Sequence, residues 1–230
     1  WDQLQEVIAA AKAARSPELK RQDKDGNQWY MSEKMAGMML YVDRFSEDLK
    51  KFEEKIDYLA ELGITYVHFM PLLKSREGNN DGGYAVADYL AVDKKFGTMR
   101  QLERVVKQLK KRGIRTCIDF VLNHTAKEHV WVQEFRKGNH DYDDMYHMFD
   151  DDTIPNEYEK TMTEIFPGVA PGNFTWYPDL NKYVMTRFYE FQWDLNYANP
   201  QVFNKIVEVL LMLANKGIDI FRLDAIPYMW

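Results

Sequence analysis

Near the end of the chain, in the run Gly217-Ile218-Asp219-Ile220-Phe221-Arg222-Leu223-Asp224-Ala225, an arginine and an aspartate stand two residues apart. The apolar spacing predicts a buried strand over Ile218–Leu223. Alternation then turns Arg222 and Asp224 to the same side, with Ile218 and Ile220. A carboxylate held beside a guanidinium stays ionised, which suits a nucleophile rather than a proton donor. The C-terminal end of a parallel strand is also where α/β folds gather their chemistry. Taken alone, the pair reads equally as an ion pair that closes a strand.

A second run, Arg115-Thr116-Cys117-Ile118-Asp119-Phe120-Val121-Leu122-Asn123-His124, again collects polar groups at the exit of a β-rich segment. Cys117, Asp119, Val121 and Asn123 share one face, and His124 follows. A lone histidine is most often a satisfied core residue. Here a carboxylate and an amide accompany it, and each is costly to bury without a partner, which favours a functional cluster. A third run, Glu77-Gly78-Asn79-Asn80-Asp81-Gly82-Gly83-Tyr84, places a carboxylate and an aromatic ring on a glycine-rich turn. An acid that accepts from hydroxyls next to a ring that covers C–H patches makes a sugar contact. Asn-Asp-Gly-Gly by itself is a weak signal, since most such sequences are plain turns.

In this order the three runs resemble the α-amylase superfamily of glycoside hydrolases and transglycosylases. Asp119–His124 is similar to its first signature and Phe221–Asp224 to the one that carries the nucleophile. Within the superfamily the chain resembles amylosucrases and their sucrose-hydrolysing relatives. That finer resemblance rests on Arg76–Tyr84, Glu164–Gly168, Pro171-Gly172-Asn173-Phe174 and Phe191–Pro200, and the resemblance as a whole runs from about Tyr41 onward.

The resemblance implies a TIM (β/α)8 barrel, of which this chain holds the first four βα units with a small domain inserted after strand 3. It further implies that Asp224 is the nucleophile, held ionised by Arg222, and that His124 donates to hydroxyls of the bound glucosyl unit. Asp81 and Tyr84 would form the floor and stacking wall of the glucose pocket, Phe188 a wall near the transferred glucosyl, and Gln192 a contact on the fructosyl or acceptor side. Asp119 and Asn123 are expected to support the site rather than touch substrate. A retaining mechanism needs a second carboxyl group about 5 Å from the first. In the superfamily that glutamate follows strand five, past residue 230, so the chain alone is expected to be inactive. The implied substrates are sucrose and an α-glucan acceptor; a sucrose hydrolase, a starch-acting amylase and a non-catalytic sugar-binding relative are the alternatives. Many amylases hold calcium through the asparagine at the position of Asn123. Amylosucrases as a group do not depend on it, so no metal and no cofactor are expected.

The elements that must position these residues are legible in part. Residues 2–14 read as a helix and 15–35 as a polar connector. Strands are expected over Met38–Val42, Thr65–Met70, Thr116–Leu122 and Ile218–Leu223. Helices are expected over Ser46–Leu62 (with Ser46 as cap), Met99–Arg112 and Pro200–Lys216 (with Asn199 as cap), each closed by a glycine. Strands separated by helices indicate parallel βα units. The resulting division is 1–35 connector, 36–123 barrel units one to three, 124–197 inserted domain, and 198–230 third barrel helix and fourth strand. Four such units leave the first and fourth strands unpaired, so the chain is expected to be part of a longer protein whose remainder closes the barrel.

Composition narrows the partners. With 230 residues of which 46% are apolar, one sizeable core is affordable. A net charge of −6 argues against nucleic acid or an anionic membrane as partner. Cys117 is the single cysteine, which excludes an intrachain disulfide and points to a reducing, cytoplasmic setting, with secretion not excluded. No run is long enough to span a bilayer and no signal peptide opens the chain. Asp23-Lys24-Asp25-Gly26-Asn27 suggests a calcium loop, but Gln28 and Lys34 stand where glycine and a bidentate acid are needed, and the reading fails.

Overall fold

The computed structural model describes residues 1–24 and 29–229; most of the rejected calcium loop lies outside the described residues. The chain forms two compact units, one of Trp1–Lys74, Tyr89–Phe120 and Asn204–Leu223, the other of Ser75–Asp88, Val121–Phe203 and Asp224–Trp230.

The first unit carries the βα repeats. Helix α1 spans Asp2–Ala14 as expected. The connector after it contains a helix that the sequence reading missed, α2 (Pro17–Lys24). Its signals were present: Ser16 Oγ accepts from Leu19 N at 3.2 Å, Pro17 opens the helix, and Leu19 is its buried residue. Strand β1 is Gly37–Leu40. The single helix expected over 46–62 is two, α3 (Leu49–Glu53) and α4 (Ile56–Glu61). Its cap is Asp48, which accepts from Lys51 N at 2.7 Å. The Ser46 hydroxyl instead bonds back to Val42 O at 3.2 Å. A short serine that finds a local carbonyl no longer serves as a cap.

Strand β2 (Tyr66–Phe69) follows, then α5 (Met99–Lys111), β3 (Arg115–Val121), α6 (Pro200–Asn215) and β4 (Ile220–Asp224). Thr98 and Gln101 close a reciprocal capping box on α5, and Asn199 Oδ1 accepts from Gln201 N at 3.0 Å at the start of α6. After α6 the backbone takes φ +100° at Gly217, where a Cβ would also lie 3.1 Å from Val106; only glycine turns the chain there without strain. The sheet order is β1-β2-β3-β4, with β1–β2 and β2–β3 parallel.

Val67, Phe69, Ile118 and Phe120 are buried, as are Leu59, Leu102, Val105 and Leu109 of the helices. Each such side chain contributes about 2–3 kcal/mol of burial. The alternate residues fall on the opposite face, where the register aligns Met39, His68 and Cys117. At the other end of the sheet Asp219, its side chain 5% exposed, ties elements together: it accepts from Thr116 N at 3.1 Å, Gln22 Nε2 at 3.0 Å, Lys110 Nζ at 3.2 Å and Arg115 Nη1 at 3.3 Å.

Two further strands went unread in the sequence, Leu73–Ser75 and Val86–Val92. In the second unit Arg76 N donates to Ala85 O at 3.0 Å, which folds the glycine-rich loop back on itself. That unit also holds a three-stranded antiparallel sheet in which Lys182–Met185 lies between Met148–Phe149 and Phe174–Tyr177. Beside it runs an antiparallel pair, His124–Ala126 with Gln192–Asp194. Among the described residues no helix is long and apolar enough to cross a membrane.

Candidate active site

The pairing of His124–Ala126 with Gln192–Asp194 decides most of the site in the second unit. Gln192 opposes Ala126 and Asp194 opposes His124, so Gln192, Asp194 and His124 share a face while Thr125 and Trp193 take the other. Diagonal neighbours on one face lie within reach of long side chains. Accordingly Gln192 Nε2 sits 3.0 Å from His124 Nε2 and 3.2 Å from Asp81 Oδ2. An amide nitrogen donates to both groups, which leaves His124 Nε2 as acceptor. Gln192 is fully buried, and its Oε1 has no hydrogen-bond partner.

Asp81 reaches this point from a 3₁₀ turn, Asp81–Gly83, capped by Asn80: Gly83 N donates to Asn80 Oδ1 at 3.1 Å. The Asp81 backbone has φ +54°, a left-handed conformation costing roughly 1 kcal/mol that aspartate tolerates better than most residues. Burial lifts its carboxyl above the usual range; the Gln192 hydrogen bond pulls it back, and the negative charge of Asp224 lifts it further. Asp224 therefore lies within electrostatic reach of Asp81. Burial holds the His124 imidazole down to about 3, against a hydrogen bond to the Tyr84 backbone, so the ring is neutral at any physiological pH. The Phe188 ring lies 4.7 Å from that of His124. Asp81, Tyr84, His124, Phe188, Gln192 and Asp224 thus all belong to this one unit.

Beneath them lies a charged pair that the sequence reading missed. Arg187, 7% exposed, donates from Nε to Asp194 Oδ2 at 2.5 Å and from Nη2 to Asn123 Oδ1 at 3.1 Å; it also donates to the Tyr228 carbonyl. Burial pushes Asp194 up to about 6 despite the adjacent guanidinium. The sequence cue was an arginine and an aspartate, Arg187 and Asp194, in a stretch otherwise rich in aromatic residues. Among the described residues no group of three or more His, Cys, Asp or Glu side chains is arranged to hold a metal.

The first unit carries a separate cluster. Arg222 ion-pairs with Asp119: Nη1 to Oδ1 is 2.5 Å. The strands that carry Arg222 and Asp119 are neighbours in the sheet, about 4.8 Å apart, which brings the two side chains together. Asp119 Oδ2 also lies 3.3 Å from Nε2 of His68, a residue the sequence reading passed over. Burial, seconded by Asp119, pushes the Cys117 thiol up to about 11, so it is an inert thiol.

The α-amylase catalytic-domain family matches residues 19–229. The chain belongs to the α-amylase family. Its curated relatives include the trehalose synthase of Pimelobacter sp. (strain R48), 36% identical over 184 residues, which covers 80% of this chain and 31% of the relative. The oligo-1,6-glucosidase of Parageobacillus thermoglucosidasius is 35% identical over 78% of this chain and 31% of its own length. Among solved structures, the trehalose-6-phosphate hydrolase of Bacillus licheniformis superposes with TM-score 0.71 at 30% identity, over 83% of this chain and 35% of the other. A mutant of the trehalulose synthase MutB in complex with its substrate sucrose gives TM-score 0.71 and 30% identity, over 83% and 34%. The chain thus spans about a third of these α-amylase relatives' lengths. Its βα units are those of the family's TIM barrel, and the relatives are glycoside hydrolases and transglycosylases.

Proposed function

We propose that the protein carrying this chain is a retaining α-glucosyl transferase of amylosucrase type, with sucrose as donor. The observation that carries this reading is the linkage Asp81–Gln192–His124, with Asp224 close enough to Asp81 for its charge to be felt. Paired carboxylates, a neutral imidazole and a buried amide with a spare oxygen provide donors and acceptors for a ring of hydroxyls, and Tyr84 and Phe188 supply aromatic surface. Asp224 attacks the anomeric carbon, the bond to the fructosyl oxygen breaks, and that oxygen takes a proton from a general acid. An acceptor hydroxyl or water then displaces Asp224 with net retention. In this reading the acid is the glutamate that follows strand five in the superfamily. Neutral His124 bonds a sugar hydroxyl without a buried charge to desolvate, and Arg222 keeps positive charge near the end of the strand that bears the nucleophile.

Sucrose is supported by the Arg76–Tyr84 segment. It is fixed by a two-pronged Arg76–Glu128 ion pair, both bonds 2.9 Å, with the Arg76 guanidinium 4.4 Å from the Phe191 ring centre. A second reading, isomerisation of the donor disaccharide, is favoured by the sucrose-bound and isomaltulose-forming relatives. The full-length enzyme incubated with sucrose separates these: insoluble glucan supports the transferase, free glucose a hydrolase, and an isomeric disaccharide the second reading. Asp224→Asn is expected to lower turnover at least about a thousandfold. Unchanged turnover in that variant would refute the assignment of the nucleophile.

A further inference from the structure

Arg187 follows the strand Lys182–Met185 and directly precedes Phe188. Both it and Asp194 are buried. From there one guanidinium reaches three other segments, all within the second unit. Nε donates to Asp194 Oδ2 at 2.5 Å, Nη2 donates to Asn123 Oδ1 at 3.1 Å, and Nη2 also donates to the Tyr228 carbonyl. Each of these segments carries a residue of the pocket. Asn123 directly precedes His124. Asp194 stands on the strand of Gln192 and opposes His124 in the register. Tyr228 ends the 3₁₀ turn Ile226–Tyr228 that follows Asp224. The Phe188 ring, next in the chain to the arginine, packs 4.7 Å from His124 and 5.3 Å from the Tyr228 ring.

Stability alone does not call for this arrangement. Two buried charges are costly to desolvate, and apolar side chains of similar volume often hold a core as well or better. What apolar packing cannot supply is direction. A guanidinium presents its N–H donors in one plane at fixed angles, so acceptors on separate segments are held at fixed spacing around it. We propose that Arg187 is a positioning residue, an internal cation that fixes the segments bearing His124, Gln192 and Asp224 relative to one another. This inference rests on the reading of those three residues as glucosyl pocket and nucleophile. Arg187 acts through its acceptors and not by touching the sugar. Without it, the spacing between the nucleophile and the pocket gains play, and misplacement of that kind falls chiefly on the rate. The bonds from His124 to the sugar are the ones that strengthen as charge develops, so kcat suffers more than KM.

The test separates folding from positioning. It uses the full-length enzyme, with both sucrose and p-nitrophenyl α-D-glucopyranoside as donors so that a wrong choice of natural donor does not matter. Arg187→Met/Asp194→Asn removes the tie and the buried charge together. It is expected to regain most of the denaturation midpoint that Arg187→Met alone loses. Its kcat is nonetheless expected to stay about 10- to 100-fold below the parent, with KM within about fivefold, because an ångström of misplacement is enough for that loss. A kcat that returns to the parent value along with the midpoint would show a merely structural arginine and overturn the proposal, as would a loss confined to KM. If the double variant fails to fold, Arg187→Lys serves. It keeps the ion pair with Asp194 but offers a point charge in place of the planar fork, and kcat is expected to fall about tenfold or more. Parent-like kcat in that variant overturns the idea. Asp224→Asn is assayed alongside. Turnover retained there sinks the reading of the nucleophile, whereas turnover abolished there but unimpaired in the Arg187 variants sinks only this inference.

Discussion

Arg187→Met is the most informative perturbation of stability in the second unit. The guanidinium is buried, holds Asp194 at 2.5 Å and Asn123 at 3.1 Å, and its partner Asp194 is 1% exposed. Removing one member of such a pair leaves an uncompensated buried charge, at a cost of about 3–5 kcal/mol. The pH dependence is more diagnostic than the size. With Arg187 present, the folded-state carboxyl of Asp194 sits at about 6, above its ordinary value of 3.8. A raised acid contributes stability at low pH that is lost as pH rises through the folded value, so the parent has lost it by about pH 6 and is flat above. Without the guanidinium the folded value moves past neutrality, and the loss continues upward at about 1.4 kcal/mol per pH unit. The penalty for Arg187→Met should therefore be larger at pH 8 than at pH 6 by about 2 kcal/mol or more. Urea denaturation followed by tryptophan fluorescence reads it, with Trp193 next to Asp194 in the chain as reporter. The double variant Arg187→Met/Asp194→Asn should lose the added pH dependence. A penalty that is flat between pH 6 and 8, or an additive double variant, would refute the reasoning.

Acid should unfold the protein early, because His124 and His129 are both buried and held down to about 3 from 6.5. Below pH 6.5 the unfolded chain takes up protons that the folded chain refuses, so each histidine removes about 1.4 kcal/mol of stability per pH unit down to about pH 3. Denaturation midpoints for His129→Phe between pH 7 and 5 should show that slope reduced by one histidine's share; an unchanged slope contradicts the burial. Gln192→Glu replaces a donor facing Asp81 with a second carboxylate, and the donor KM measured at pH 7 in the full-length enzyme should rise at least about tenfold. An unaltered KM would remove Gln192 from the pocket. Asp219→Ala deprives two basic side chains, an amide and a backbone N–H of their shared acceptor; a stability loss of about 3 kcal/mol by chemical denaturation is expected, and one under about 1 kcal/mol would show the cluster to be decorative. The isolated 230-residue chain, folded and pure, should show no sucrose turnover in a glucose-release assay.

Local chemistry was readable wherever a signal is local. Thr98 with Gln101 and Asn199 before Pro200 mark helix starts, and the apolar runs around Ile118 and Ile220 mark strands, because caps and alternation depend on near neighbours in the chain. The same holds in reverse for α2, whose Ser16-Pro17-Glu18 opening was present and overlooked, and for Ser46, whose capping power went to a nearby carbonyl that no sequence pattern displays. The three polar runs around Asp81, His124 and Asp224 carried the resemblance to the α-amylase superfamily, and the family match over residues 19–229 bears it out.

What only the tertiary structure decided was partnership. Arg222 bonds to Asp119, 103 residues away in the chain, because the strands that carry them are neighbours in the sheet. Gln192 meets both His124 and Asp81 through an antiparallel register that a one-residue slip would have turned inside out. His68 and Arg187 gave little signal, since an isolated imidazole or guanidinium acquires meaning only from the carboxylate placed beside it. Sequence supplied the chemical groups and their faces; long-range packing chose which of them touch, because hydrogen bonds and ion pairs depend on ångströms that spacing along a chain does not encode.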